Sequence, residues 1–181
     1  MGFKEEMERR RTFGIISHPD AGKTTLTEKL LLFGGAIHVA GAVKSNKIKK
    51  TATSDFMEIE RQRGISVATS VMGFEYNGIK INILDTPGYF DFVGEVEEAV
   101  SVADAAIIVV NCKAGIEVGT EKAWELCDKL KLPRIIFVTN MDDDHASFRE
   151  LVLKLERRFG RSIAPFQLPI RENEKFVGYV N

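Results

Sequence analysis

The sequence has little cysteine and tryptophan, and it has neither a long apolar run nor an excess of charge of one sign. Its two cysteines, Cys112 and Cys127, are too few for the disulfide framework of a small secreted domain. No apolar stretch approaches the ~20 residues that a transmembrane helix needs. The start of the chain, MGFKEEMERRRTF, is charged and lacks the apolar core of a secretory signal. We therefore expect a cytoplasmic protein without a membrane partner.

The charge of the chain is almost balanced. Lysine and arginine total 25 against 26 aspartates and glutamates, which gives a formal net charge of −1. Domains that bind nucleic acid by themselves usually carry a basic excess, so we do not expect autonomous nucleic-acid binding. With 181 residues, of which 44% are hydrophobic, the chain is long enough to bury a substantial core.

Short apolar runs alternate along the chain with segments of helical periodicity. The runs are typical of strands buried on both faces of a parallel sheet, and they are Phe13–Ile16, Ile81–Leu84, Ala105–Val110 and Ile135–Val138. Apolar residues at helical spacing predict helices around residues 26–33, 93–103, 123–130 and 148–159. Asp144 is a candidate N-cap for the last of these helices. The alternation of strands and helices predicts an α/β fold.

One pair of strands has a different connection. Ser66–Tyr76 and Ile79–Leu84 are rich in β-branched or aromatic residues and are joined by Asn77-Gly78. Asn-Gly between two such runs is a strong signal for a two-residue hairpin turn. We therefore predict a mixed, mostly parallel sheet with one antiparallel edge strand.

A phosphate-binding loop is predicted between the first strand and the first helix. The residues are Ser17-His18-Pro19-Asp20-Ala21-Gly22-Lys23-Thr24, followed by Thr25. Backbone N–H groups at a helix N-terminus can bind an anion, Lys23 can reach the β- and γ-phosphates, and Thr24 can bind Mg²⁺. Ser17 occupies a position that is glycine in the strict pattern. The alternative is a chance Gly-Lys-Thr sequence at a helix start.

Two further segments carry residues that fit such a site. Asp85-Thr86-Pro87-Gly88 follows a predicted buried strand, so Asp85 can hold Mg²⁺ and the Gly88 N–H can contact a γ-phosphate. Ser66 lies just after a long loop, residues 34–64, and its hydroxyl can complete the Mg²⁺ shell. The bland alternatives are a plain turn at residues 85–88 and a simple strand start at Ser66.

Taken in order, these motifs resemble the GTP-binding domain of translational GTPases. The resemblance implies a P-loop NTPase three-layer domain that binds GTP or GDP with Mg²⁺, hydrolyses GTP, and serves a ribosome-associated factor. Residues 1–88 resemble the release factor 3 family, and residues 89–181 resemble an elongation factor G paralogue. One hypothesis is therefore a mosaic or chimera of two related domains.

The chain departs from the family pattern at two sites. Tyr89 stands where the family usually has a histidine that positions the attacking water, and a phenol cannot become cationic as imidazole can. The guanine-recognition sequence Asn-Lys-x-Asp is replaced by Thr139-Asn140-Met141-Asp142, in which Asp142 keeps the base-binding carboxylate. A one-residue shift would instead align Asn140 and Asp143. Both departures leave open a non-catalytic P-loop module, whereas an ATPase or kinase outside translation fits the motifs poorly.

The resemblance also has implications for domain organisation. Residues 1–181 read as a single GTP-binding domain that is truncated at its C-terminus, and residues 171–181 read as the start of a missing insertion. The nucleotide-binding residues expected from the motifs are Ser17, His18, Pro19, Asp20, Ala21, Gly22, Lys23, Thr24, Thr25, Asp85, Gly88, Thr139, Asn140 and Asp142. The expected metal ligands are Thr24, Ser66 and Asp85, and Tyr89 is the doubtful catalytic position.

Overall fold

A computed structural model of the chain describes residues 2–38, 66–172 and 175–181. The strands are β1 (Arg10–Ser17), β2 (Ser70–Tyr76), β3 (Ile79–Asp85), β4 (Ala105–Asn111), β5 (Arg134–Thr139), β6 (Leu168–Glu172) and β7 (Lys175–Val180). The helices are α1 (Phe3–Glu8), α2 (Lys23–Phe33), α3 (Val93–Ser101), α4 (Val118–Leu130) and α5 (Phe148–Phe159), and a 3₁₀ turn at Phe90–Phe92 precedes α3. Most of the predicted long loop, residues 34–64, lies outside the described residues.

The main sheet has five strands in the order β2-β3-β1-β4-β5. Strand β1 pairs in parallel with β3 and β4, and β4 pairs in parallel with β5. Strand β2 is antiparallel to β3 and lies at the edge. The prediction of a mixed α/β sheet with one antiparallel edge strand is therefore confirmed.

The backbone conformation of the turn between β2 and β3 explains why its sequence is Asn-Gly. Asn77 and Gly78 have φ angles of 49° and 76°, both in the left-handed region. A two-residue hairpin turn of this kind matches the right-handed twist of its strands, and asparagine and glycine tolerate the conformation best. The turn fixes the register in which Tyr76 faces Ile79 and Ser70 faces Asp85.

Helices cover both faces of the main sheet, and each face has its own core. One core contains Ile16, Ile108 and Val110 from the sheet, packed with residues of α3, α4 and α5. The other contains Ile15, Ile83 and Val109 and is covered by Leu26 of α2. Alternate residues of one strand enter opposite cores, as the period of two in a β-strand requires. This layering places the carboxyl ends of β1, β3, β4 and β5 at one edge of the sheet.

Three features differ from or add to the sequence-based expectations. The N-cap of α5 is Ser147, whose hydroxyl accepts a hydrogen bond from the Glu150 N–H, so the prediction of Asp144 as the cap was wrong. Helix α1 has only six residues and no buried side chain, and no apolar stripe predicts it. Strands β6 and β7 form a separate antiparallel hairpin that includes most of the segment expected to begin an insertion.

The helices of residues 2–38, 66–172 and 175–181 are all too short or too polar to pass through a bilayer.

Candidate functional site

The loop between β1 and α2 has the backbone that a phosphate cradle requires. Gly22 adopts a φ of 95° as the N-cap of α2, and Asp20 adopts a φ of 63°. The Ala21 N–H donates to the His18 carbonyl, and the Leu26 N–H donates to the Gly22 carbonyl. Left-handed residues alternating with ordinary ones turn successive N–H groups toward one concave side, where an anion is favoured.

Two charged residues that were each predicted to belong to the phosphate site are in contact with each other. The Lys23 ammonium donates a short hydrogen bond to Oδ1 of Asp85. Both side chains are buried, with 7% and 1% of their surface exposed. The second oxygen of Asp85, Oδ2, has no hydrogen-bond partner among the described residues. An unpartnered carboxylate oxygen in a buried site is costly, which marks the position as one suited to a further ligand.

Segment 86–88 is held close against β1 and the phosphate loop. Thr86 is fully buried, and its hydroxyl donates to the Ile15 carbonyl over 2.7 Å. A Cβ atom placed on Gly88 would lie 3.3 Å from the backbone of Pro19. The predicted Gly88 is therefore beside the phosphate loop, and it has little room for a side chain there.

The residues available for Mg²⁺ are oxygen donors. Thr24 is in the first turn of α2, next to Lys23, and Asp85 offers its unpartnered Oδ2. Ser66 lies four residues before Ser70, the β-sheet partner of Asp85. Hydroxyl and carboxylate oxygens are the donors that Mg²⁺ prefers, with phosphate oxygens completing the shell. The described ranges contain no group of three or more histidine, cysteine, aspartate or glutamate side chains that could hold a metal ion.

Tyr89 lies beside the site rather than among its buried groups. Its side chain is 38% exposed. It lines a groove between α3 and α4 together with Val93 and Lys122. The phenol at this position is therefore accessible to water, but no described hydrogen bond of its hydroxyl defines a catalytic geometry.

Thr139 ties the end of β5 to the phosphate loop. Its hydroxyl is 2.7 Å from the Ala21 carbonyl oxygen and 3.3 Å from the Val110 carbonyl oxygen. Its methyl group would lie 3.2 Å from a Cβ on Gly22. The threonine thus makes a structural contact to the loop, while it offers no amide group to a base.

The residues after Thr139 form a turn held by two cations. Asn140 has a φ of 55°, and Asp142 is exposed. Asp143 accepts hydrogen bonds from the His145 N–H and from Lys113, and these contacts lower the pKa of its carboxyl. Asp143 is therefore engaged through both carboxylate oxygens, whereas Asp142 is exposed.

The second cation on this turn comes from strand β6. Arg171 donates to the carbonyls of Ala146 and Asp143 over 2.7 and 3.2 Å. The hairpin β6–β7 is thereby fastened to the turn that follows β5. Sequence reasoning did not identify Arg171, because nothing in its local pattern points to a contact 25 residues away.

The first turn of α4 lies against the phosphate loop, which sequence reasoning also missed. His18 Nε2 is 3.4 Å from a carboxylate oxygen of Glu117, the N-cap residue of α4. Gly119 is buried on the backbone of His18. An Ile-Glu-Val-Gly sequence carries no general signal for such a contact.

Comparison with known proteins agrees with this geometry. The family model described as the elongation factor Tu GTP binding domain matches residues 8–177. The chain belongs to this family. The match includes the phosphate loop, the Asp85 segment and the turn after β5.

Relatives and a solved structure extend the comparison. The chain is 49% identical to peptide chain release factor 3 of Nitrosomonas eutropha over 98% of its length, and 48% identical to that of Macrococcus caseolyticus over 100%. It covers 33% and 35% of those relatives, about one third of their length. A crystal structure of a Thermus thermophilus protein superposes with a TM-score of 0.87 at 38% identity, over 94% of this chain and 25% of that one. The release factor 3 alignments run through both segments for which a mosaic origin was considered, so they lend that hypothesis no support.

Proposed function

We propose that the chain is the GTP-binding switch domain of a ribosome-associated translation factor, of termination or elongation type, that binds and hydrolyses GTP with Mg²⁺. The main observation behind the proposal is the buried hydrogen bond between Lys23 and Asp85 beside the phosphate loop. Lysine compensates phosphate charge in P-loop proteins, and an acidic residue at the end of a neighbouring strand serves the metal. Family membership and similarity to release factor 3 support the same function.

The proposed roles follow from the positions of the groups. The N–H groups of His18 and of residues 20–24 bind the phosphates, and Lys23 exchanges Asp85 for a phosphate oxygen when nucleotide enters. Asp85, Thr24 and Ser66 hold Mg²⁺, which when bound supplies charge compensation for phosphoryl transfer. The Gly88 N–H contacts the γ-phosphate, and Asp142 accepts hydrogen bonds from guanine. Because the chain covers only a third of its relatives, ribosome binding is proposed for a longer protein that contains this domain.

Fluorescent GTP and GDP analogues test nucleotide binding directly. We expect micromolar or tighter binding that weakens when Mg²⁺ is removed, and loss of binding in Lys23→Met. A Lys29→Met variant is the matched control, because Lys29 is an exposed lysine of the same helix. Absence of binding by the parent chain at high micromolar nucleotide would contradict the proposal.

A second candidate is a P-loop interaction module that has lost efficient hydrolysis. Two observations favour it, namely the exposed Tyr89 in the position usually occupied by histidine and the structural use of Thr139. Loss of a hydrogen bond to the base costs about 1–3 kcal/mol, so discrimination between GTP and ATP should be weakened. Calorimetric titration of both nucleotides measures this discrimination, and strong rejection of ATP would show that the altered loop still reads guanine.

A further inference from the structure

Gly119, the second residue of α4, lies directly against the backbone of His18 in the phosphate loop. A Cβ atom on this residue would lie 2.6 Å from the Cα, 2.8 Å from the N and 2.9 Å from the Cβ of His18. Two of these three atoms are backbone atoms, so they cannot rotate away as the end of a long side chain can. A single methyl group at position 119 therefore forces either α4 or the loop to move.

Backbone conformation does not explain the glycine. Gly119 is absent from the residues of positive φ, and it lies in the first turn of a helix where alanine is favoured. Glycine inside a helix is less favourable than alanine, because it loses more conformational freedom on folding. The feature that does require glycine is the contact with His18.

A second contact joins the same two elements. Glu117, two residues before Gly119, places its carboxylate oxygen 3.4 Å from His18 Nε2. The Glu117 N–H also donates to the Thr120 hydroxyl over 3.4 Å within the first turn of α4. The first turn of α4 therefore contacts His18 on both its backbone and its imidazole.

We infer that the first turn of α4 sets the position of the phosphate loop, and that Gly119 is a positioning residue for nucleotide phosphates. The inference rests on the proposed function. His18 is the second residue of the loop, and its carbonyl accepts the Ala21 N–H that shapes the cradle. A displacement of His18 is thus carried to the N–H groups that would face the phosphates.

The size of the displacement is enough to matter. For ordinary van der Waals contact, the distance between a Cβ at position 119 and His18 Cα has to lengthen from 2.6 Å to at least 3.4 Å. Hydrogen bonds weaken steeply as distance and angle depart from their optimum. A misplacement of about 1 Å can cost about 100-fold in a positioned site.

The test compares Gly119→Ala with Gly94→Ala. Gly94 is in the first turn of α3, and a Cβ there has nothing within 4 Å. Both variants replace a helical glycine by alanine, but only one introduces the clash. We expect GDP to dissociate at least about tenfold faster from Gly119→Ala than from the parent, and at an unchanged rate from Gly94→Ala. The ³¹P resonance of the β-phosphate of bound GDP should shift only in Gly119→Ala.

A second measurement does not depend on nucleotide binding. In the nucleotide-free chain, hydrogen exchange at the amides of His18 and residues 20–22 should be about tenfold faster in Gly119→Ala and unchanged in Gly94→Ala. Glu117→Gln adds no heavy atom and leaves the backbone N–H that donates to Thr120 in place. It should increase loop exchange in the same direction, by a smaller factor, and it keeps the test valid if Gly119→Ala does not fold.

The possible outcomes separate the two proposals. If the parent chain binds no nucleotide while loop exchange responds to the variants, the proposed function fails and the positioning contact stands. If loop exchange in Gly119→Ala and Glu117→Gln equals that of the parent, the inference is overturned, whatever the nucleotide affinity. Equal effects of Gly119→Ala and Gly94→Ala on GDP dissociation would also overturn it.

Discussion

Lys23 and Asp85 neutralise each other in a place from which water is largely excluded. Their side chains are 7% and 1% exposed, and their charges come from elements 62 residues apart. Removing either partner leaves the other as a buried, uncompensated charge. The resulting loss of stability is far larger than the stability that an exposed ion pair contributes. Loss of one partner alone is therefore expected to destabilise the domain.

A double-mutant cycle measures this coupling. We expect Lys23→Met and Asp85→Asn each to lower the free energy of unfolding by about 3 kcal/mol, because each leaves one buried polar group alone. The double variant should lose clearly less than the sum of the two. Urea unfolding of the nucleotide-free chain provides the values.

The exposed pair Lys4–Glu8 is the control for that cycle. Its side chains are 89% and 67% exposed, and its coupling should be close to zero. Strictly additive losses at Lys23 and Asp85 would contradict the interpretation of a coupled buried pair.

The lowered pKa of Asp143 predicts that the stability of the fold depends on pH. Its pKa is held below the ordinary value of 3.8, first by the hydrogen bond from the His145 N–H and then by Lys113. The folded chain thus binds this proton less readily than the unfolded chain, so the contribution to stability is present above pH 3.8 and is lost as the pH falls further.

Thermal unfolding of Asp143→Asn checks the sign. The melting temperature of the variant should lie below that of the parent at pH 6, and the difference should shrink below pH 4. Asp142→Asn removes the neighbouring exposed carboxylate and serves as the control for net charge. A difference that persists or grows in acid would refute the assignment.

The sequence identified the residues that carry an intrinsic signal. Lys23 and Asp85 were predicted, because each lies in a motif whose neighbours set its local geometry. Gly119 and Arg171 were not, since their roles depend on which distant backbone lies beside them. A contact of that kind leaves no trace in local spacing.

At the scale of elements, the segment that leads into β2 is attached to α3. The Thr69 N–H donates to the Glu95 carboxylate over 2.8 Å, and the Thr69 hydroxyl donates to the Glu95 carbonyl. Thr69 follows Ser66 by three residues, and Glu95 is in the first turn of α3. The segment before β2 and the first turn of α3 are therefore joined through Glu95.

Hydrogen exchange tests this attachment. Glu95→Ala should reduce protection of the Thr69 amide by about tenfold, because a hydrogen bond to a charged group is lost. Glu98→Ala removes an exposed glutamate from the same helix and should leave Thr69 unchanged. Equal protection of the Thr69 amide in both variants would show that the carboxylate is dispensable.

Elements were predicted well where periodicity was strong. The apolar runs of β1, β3, β4 and β5 and the stripe of α5 were long enough to define them. The hairpin β6–β7 was not predicted, because Pro169 lies in one strand and a proline argues against a strand. Cap identity also failed, since Asp144 and Ser147 are equally suitable types and only the backbone decides between them.

At the scale of the whole molecule, the two faces of the main sheet are unequally covered. The face packed with α3, α4 and α5 has the larger core. On the opposite face, α2 covers Ile15 and Val109, whereas Ile135 and Phe137 of β5 are 66% and 43% exposed. The described part of the chain thus buries one face of its sheet more completely than the other.

The proposed hydrolysis is tested in a longer protein that contains this domain, and Tyr89 is the residue to vary. In a full-length factor carrying this domain, Tyr89→His should raise ribosome-stimulated GTP hydrolysis by at least about tenfold, because imidazole can position water and become cationic. Tyr89→Phe removes only the hydroxyl and should not raise the rate. Single-turnover hydrolysis on ribosomes gives the comparison, and an unchanged rate in Tyr89→His would rule out a positioning defect at this residue.

Arg171 connects the hairpin β6–β7 to the turn that follows β5. Its guanidinium holds the carbonyls of Asp143 and Ala146, and the same turn begins at Thr139, whose hydroxyl contacts the phosphate loop. The hairpin, the turn after β5 and the phosphate loop are therefore joined by a short chain of hydrogen bonds. Arg171 is the side chain that connects the hairpin to this chain.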